Sequence, residues 1–349
     1  MQVLSFRRLS LALTTIGVAG LGMTALAGAQ APQPWQNGMV NYNGDAGMLL
    51  MNEKAGFDKA FGLTVSTFTV AGDPLLLKAL VAGQIDSYIA SPATALIAAS
   101  KGADVKIVGC GWVKQSYALL GNANVKDVAD LKGRTINTAA PGSGPDIFTK
   151  AALAVSGVKP DEVTFVGSGN PMDWLKAMEA NVYQSAATPD EYVVRAKSMG
   201  LKVLTTSDVA TPLSMQRCYF FRGDQVKNQS DKIAKFLAAE MAAYRYSTTH
   251  RDETLALTRK ILKVDDKQPE AATNYDSVVS RNVIDLNLEP PIEKLRFLRD
   301  LLAANGSVDA KWDPKSIVEM GPLLKARELV TAEGGKTAAA APAVLAAIK

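Results

Sequence analysis

The sequence predicts an α/β fold of two similar lobes, and three observations predict it. Strand-like runs end repeatedly in a capping residue followed by Pro and a helical pattern. One such stretch recurs further along the chain. From Val226 onward the apolar spacing becomes helical.

The junctions come first. Phe68-Thr-Val-Ala-Gly-Asp73-Pro74, Tyr88-Ile-Ala-Ser91-Pro92, Val166-Gly-Ser-Gly-Asn170-Pro171 and Ala186-Ala-Thr188-Pro189 each pair a strand end with a cap and a Pro. Gly142-Ser-Gly144-Pro145 does the same after Thr135-Ile-Asn-Thr138, and Met39-Val-Asn-Tyr-Asn-Gly-Asp45 forms a sixth junction with Asp45 as its cap. Asp, Ser, Asn, Thr and Gly suit the N-cap position, and Pro is pre-set for the first helical turn. Strands alternating with helices imply a parallel sheet with both faces covered. In such sheets ligands bind beyond the carboxyl ends of the strands, where helix amino termini present free N–H groups.

The stretch from Thr67 to Pro92 is echoed from Thr164 to Pro189: strand, cap, Pro, helix, turn, strand, cap and Pro recur in one order. That repetition implies two lobes built alike. Lys232 to Tyr246, Thr254 to Leu262 and Ile292 to Leu302 carry apolar residues at helical spacing, and Pro290-Pro291 breaks between two of these segments.

At the amino terminus, Arg7 and Arg8 precede a mostly apolar stretch from Leu9 to Leu26 that runs into Ala25-Leu-Ala-Gly-Ala-Gln-Ala31. This is the pattern of a secretory signal peptide over residues 1–29. Gly17, Gly20 and Gly22 interrupt the stretch and no basic stop follows, which argues against a membrane-spanning helix. Residues 331–349 form a low-complexity tail. The chain of 349 residues carries a formal charge of +4, with 48% hydrophobic and 21% charged residues. That balance excludes a strongly basic nucleic-acid binder. His250 is the single histidine, so His-based triads and Cys–His metal sites lack raw material, and no catalytic or metal-ligating set is assigned. Cys110 and Cys218, in an exported chain, are either bonded or buried as small hydrophobes.

Four further runs carry a family likeness: Ala46 to Val65, Lys78-Ala-Leu-Val-Ala-Gly-Gln-Ile-Asp86, Gly102-Ala-Asp-Val-Lys-Ile-Val108 and Val128-Ala-Asp-Leu-Lys-Gly-Arg-Thr-Ile136. On these the chain resembles the solute-binding proteins of ABC transporters, in the branch of sulfonate, taurine, nitrate and thiamine-pyrimidine-precursor binders. The resemblance implies a type II-like periplasmic-binding-protein fold. Lobe 1 would hold residues 35–113 and 214–330, lobe 2 residues 114–213, with a ligand cleft between them. It implies that Arg217 to Phe221 lies beside Lys106 to Cys110, so that Cys110 and Cys218 become neighbours able to form a disulfide. It also implies a periplasmic monomer that needs no cofactor, works with a membrane permease and catalyses nothing. Two departures stand out. Asn181-Val-Tyr-Gln184 replaces the usual Gly-x-x-Asp turn of the second lobe. The Cys-rich motif of the enzyme relative that builds the thiamine pyrimidine is missing.

The cleft candidates are Tyr42, Asn43, Asp45, Asp73, Ser91, Thr94 and Trp112 from the first lobe. Ser143, Gly144, Asn170, Thr188 and Asp190 come from the second. Trp112 is a candidate stacking face. Helix amino termini and hydroxyls favour a small organic anion, a sulfonate or carboxylate. Asp45, Asp73 and Asp190 favour instead a pyrimidine-like or zwitterionic nutrient with N–H donors. An exported α/β enzyme is the reading from a different class, and no G-x-S-x-G elbow supports it.

Overall fold

The computed structural model describes residues 31–331, apart from 71, 139, 140, 142, 168, 267 and 305. The expected signal peptide and nearly all of the expected tail lie outside the described residues. Strands β1 (Gln33–Met39), β2 (Leu63–Thr69), β3 (Ser87–Ala90) and β4 (Val105–Trp112) belong to a first sheet. Strands β5 (Tyr117–Gly121), β6 (Thr135–Asn137), β7 (Thr164–Val166), β8 (Ser185–Pro189) and β9 (Lys202–Thr206) form a second, and β10 (Arg217–Arg222) returns to the first.

The orders are β2-β1-β3-β10-β4 and β7-β6-β8-β5-β9. In each sheet the first three strands are mutually parallel and the fourth runs antiparallel to both neighbours. The two sheets therefore share one topology, and the echoed segments are its β2-to-β3 and β7-to-β8 units. The chain passes between sheets twice, at residues 113–116 and 207–216.

Helices α1 (Ala46–Lys54), α2 (Phe57–Ala60), α3 (Asp73–Val81) and α4 (Pro92–Ser100) pack on the first sheet. Helices α5 (Gly144–Val155), α6 (Pro171–Glu179), α7 (Val193–Ser198) and α8 (Ser207–Ala210) belong to the second-sheet half of the chain. After β10 come α9 (Gly223–Asn228), α10 (Ser230–Ser247), α11 (Arg251–Leu262), α12 (Glu270–Ser280) and α13 (Ile292–Ala304). The segments read as helical from their spacing are α10, α11 and α13.

Period-two alternation puts successive residues of one strand into different cores. Tyr219 and Phe221 join Trp35, Ile89 and Phe236 on one face of the first sheet, while Cys218 and Phe220 join Leu76, Tyr88, Leu96 and Leu298 on the other. In the second sheet Leu119 packs with Ile136, Phe148 and Leu153, and Ala118 and Leu120 with Trp174 and Leu175. Each large side chain buried this way contributes roughly 1.5–3 kcal/mol. Cys110 and Cys218 form a disulfide between the adjacent strands β4 and β10.

Candidate functional site

The helix starts sort the predicted cleft residues. Ser91 accepts from Ala93 N–H at 3.5 Å, and Asn170 from Asp173 N–H at 3.1 Å, so both serve as caps. Thr188 caps nothing, because it lies inside β8. Asp73 is not a cap either: Gly72 holds that position and Asp73 opens the first turn of α3. Asp45 and Ser143 occupy N-cap positions of α1 and α5 without making a side-chain cap bond. None of Asp45, Asp73, Ser143 and Thr188 makes a side-chain cap bond.

Two residues join them that no strand-end rule identified. β10 and β5 run against their neighbours, so their first residues sit at the edge where the parallel strands end. Arg217 pairs in register with Trp112, the last residue of β4, and Tyr117 with Pro189, the last of β8. Arg217 Nη2 donates to Asp45 Oδ2 at 2.7 Å, with both side chains largely buried. The second Asp45 oxygen accepts from Asn43 N–H at 2.8 Å. Tyr42 packs partly against the first core, and Thr94 is half-buried on α4.

Asp73 differs from Asp45. Among the described residues nothing hydrogen-bonds its carboxylate, and burial lifts it to about 6 although the Arg217 charge opposes the rise. Burial likewise pushes the Tyr117 hydroxyl up to about 12, Arg217 opposing and the charges of Asp73 and Asp45 adding to it. These mutual influences place Asp45, Asp73, Arg217 and Tyr117 around one space. The amino terminus of α5 closes on the same tyrosine: a Cβ on Gly144 would lie 3.0 Å from Tyr117 Oη, so glycine permits the approach. Ile147 of α5 packs against the first lobe's core.

Trp112 is not an open stacking face. It is 1% exposed, the Arg217 guanidinium lies 5.3 Å from its ring centre, and its Nε1 donates to the Tyr244 hydroxyl at 3.1 Å. It is the floor beneath Arg217. The Tyr244 and Tyr219 hydroxyls are 2.9 Å apart, and Tyr219 donates to Glu240 Oε2 at 2.7 Å. Asn52 Nδ2 donates to Glu240 Oε1 at 2.6 Å. A buried polar chain thus runs from the core of the first lobe to the arginine at its edge.

Beside the cleft the two halves meet in a polar seam. Arg281, at the end of α12, donates to Asp190 Oδ2 and Asp208 Oδ1, both at 2.7 Å, and to the Gln115 carbonyl of the first crossing at 2.9 Å. Asp190, predicted as a ligand contact, is therefore occupied. Glu191 follows it, 1% exposed, its Oε1 facing Gly44 N–H at 3.5 Å. His250 opens α11, with Nδ1 3.0 Å from the Tyr246 carbonyl and its ring stacked on Tyr246.

Among the described residues, several buried polar atoms have no hydrogen-bond partner. At the strand ends and the α5 start these are Tyr88 Oη, Ser143 Oγ, Thr188 Oγ1 and Gln216 Oε1. Leaving each unsatisfied costs about 1–3 kcal/mol, a cost that a bound polar molecule would remove.

Two sheets of one topology, joined by two crossings, are the two-lobed fold of periplasmic binding proteins. The family model described as "NMT1/THI5 like" matches residues 43–254, more than half of the chain, and the chain belongs to that family. A protein of Brucella abortus (strain 2308), named a binding protein by inference, is 25% identical over 283 residues, covering 79% of this chain and 87% of the relative. The periplasmic aliphatic sulphonate binding protein SsuA from Escherichia coli superposes with TM-score 0.66 at 22% identity, covering 83% of this chain and 93% of its own. The periplasmic nitrate-binding protein NrtA from Synechocystis PCC 6803 gives TM-score 0.68 at 14% identity, with 91% and 99% covered. Among the described residues no helix is long and apolar enough to cross a membrane.

Proposed function

We propose that this protein is the exported solute-binding component of an ABC importer, and that its solute is a small zwitterion or amino-heterocycle rather than a simple anion. The lobes divide at the two crossings, with residues 35–113 and 214–330 in one and 114–213 in the other. The solute lies between them, and closure around it presents the loaded form to a membrane permease in the periplasm. The observation that carries the ligand class is the contrast between two aspartates. Asp45 is matched by Arg217, the cation found at this edge among the described residues, while Asp73 feels that charge but has no hydrogen bond or ion pair among them. A simple anion would meet an arginine already paired and a second, unpaired carboxylate. An ammonium or amino group would satisfy Asp73 through a charge-assisted bond. The start of α5, with its N–H groups and the Ser143 hydroxyl, suits an oxyanion or ring acceptor at the other end of the same molecule.

Thermal unfolding against matched pairs tests this: taurine with ethanesulfonate, β-alanine with propionate, and 4-amino-5-hydroxymethylpyrimidine with its desamino analogue. A ligand that binds only the folded state adds about 2.7 kcal/mol at a hundredfold excess over its dissociation constant. The amino member of one pair raises the midpoint, and Asp73→Asn removes that shift. Equal shifts from both members of a pair overturn the ligand class. Solute turnover would overturn the binding role itself.

A further inference from the structure

The seam beside the cleft contains five carboxylates, four of them paired with arginines, Arg281 serving both Asp190 and Asp208. Asp45 pairs with Arg217 at 2.7 Å, Asp190 with Arg281 at 2.7 Å, and Glu270 with Arg195 at 3.3 Å. The fifth, Glu191, has no cationic partner among the described residues. It sits in the short turn Asp190–Tyr192 after β8, and is enclosed from the other side by the loop before α1 and by α12. The fit is tight: a Cβ on Gly44 would fall 2.5 Å from Glu191 Oε2, 2.8 Å from Asn274 Cβ and 3.0 Å from the Glu270 carbonyl. Among the described residues no cation faces it to support a buried negative charge.

We propose that Glu191 is a proton-operated latch between the lobes: the closed seam holds it as the neutral acid, and its ionisation favours opening. This rests on the reading of the molecule as a two-lobed capture protein whose lobes separate.

On balance the groups facing Glu191 favour its neutral form. Burial dominates, Asp45 and Asp190 add their charges, and only the Gly44 N–H and the Asn274 side chain oppose, so that the carboxyl is pushed up to about 8. Tyr192 of the same turn responds reciprocally, its hydroxyl raised by burial and by the charges of Glu191, Glu270 and Asp45. The acid form also finds acceptors. Asn274 Oδ1, Asp190 Oδ1 and Glu270 Oε2 are buried in this seam without a donor among the described residues. A half-turn of the Asn274 amide exchanges its donor for its acceptor, serving a carboxylate in one orientation and a carboxylic acid in the other. In the open form water reaches Glu191, which returns toward its ordinary 4.5. Closure then takes up a proton. The closed-to-open ratio is highest below the open-state value, falls by at most tenfold per pH unit between the two values, and is level above pH 8.

Small-angle X-ray scattering of the full protein purified without added solute reads this directly, with the proton as the probe. The wild-type radius of gyration is expected to rise as pH passes from 6 to 9, while Glu191→Gln, neutral at every pH, stays compact. A wild-type radius flat from pH 5 to 9, or an equal rise in Glu191→Gln, overturns the latch. Should Glu191→Gln fail to fold, Gly44→Ala supplies a wedge that holds the seam apart. Its infrared spectrum at pH 7 should lack one carboxylic-acid carbonyl band present in wild type, and an unchanged band overturns the proposal. A flat radius together with contraction on adding a solute removes the latch and leaves the capture reading intact. A pH-dependent radius with no solute found does the reverse.

Discussion

Glu240 and Glu191 are the same side chain, both buried and both lifted by burial, to about 7 and about 8. Their surroundings differ. Glu240 lies within the core of one lobe, on the apolar stripe of α10, with a separate donor for each oxygen: Asn52 for one and Tyr219 for the other. Glu191 lies between elements of different lobes, with the long Gly44 N–H contact and the Asn274 side chain as its donors and, among the described residues, unpaired acceptors around it. A carboxyl whose donors come from its own rigid core is a structural part. One whose surroundings come from two bodies changes state when those bodies part. The difference shows that burial alone does not separate a structural acid from a responsive one; the origin of its partners does.

The largest test of this contrast is Glu240→Ala. It leaves the Asn52 amide and the Tyr219 hydroxyl without acceptors in a dry core, and is expected to cost about 3 kcal/mol or more. Thermal unfolding measures it; a loss below about 1 kcal/mol would show that the network relaxes, and would erase the distinction from Glu191.

Next is the pH profile of unfolding. Both glutamates have folded values above their ordinary 4.5. The stability they contribute is therefore fully present below about pH 4.5 and is lost as pH rises through about 7 and 8. The wild-type midpoint should fall between pH 5 and 8. Glu240→Gln should flatten the lower part of that fall and Glu191→Gln the upper part. A midpoint that rises over this range contradicts both assignments.

The smallest effect contrasts two serines. Ser91 caps α4, whereas Ser143, in the same position of α5, has no hydrogen-bond partner for its hydroxyl among the described residues. Ser91→Ala is expected to cost about 0.5–1 kcal/mol of stability and nothing in solute affinity. Ser143→Ala should leave stability nearly unchanged and weaken solute binding about fivefold, the worth of one hydrogen bond. Isothermal titration beside thermal unfolding separates the two. Reversed outcomes would mean that Ser143 is the cap and Ser91 the contact.

Much of this was legible in the chain. The Pro-led helix starts at 74, 92, 145 and 171, and the echo of 67–92 in 164–189, describe the two lobes because caps and periodicity are written in consecutive residues. Glu240 was visible within a helical stripe, though nothing local distinguished it from a surface acid. The departures are equally instructive. Asp73 reads as a cap from its place before Pro74, yet Gly72 takes that position and Asp73 opens the first turn of α3. Trp112 reads as a stacking face, but Arg217 covers it.

The sequence by itself determined where helices begin, which strand residues alternate between cores, and that one unit is used twice. Only the tertiary structure decided that Arg217 and Tyr117 belong to the cleft. Their strands run antiparallel, so that a strand's first residue stands where its neighbours end. It also decided that Glu191 faces Gly44, far away in the chain. Capping and periodicity act over a few residues, whereas strand direction and the meeting of two lobes are fixed by contacts between segments that the chain order keeps apart.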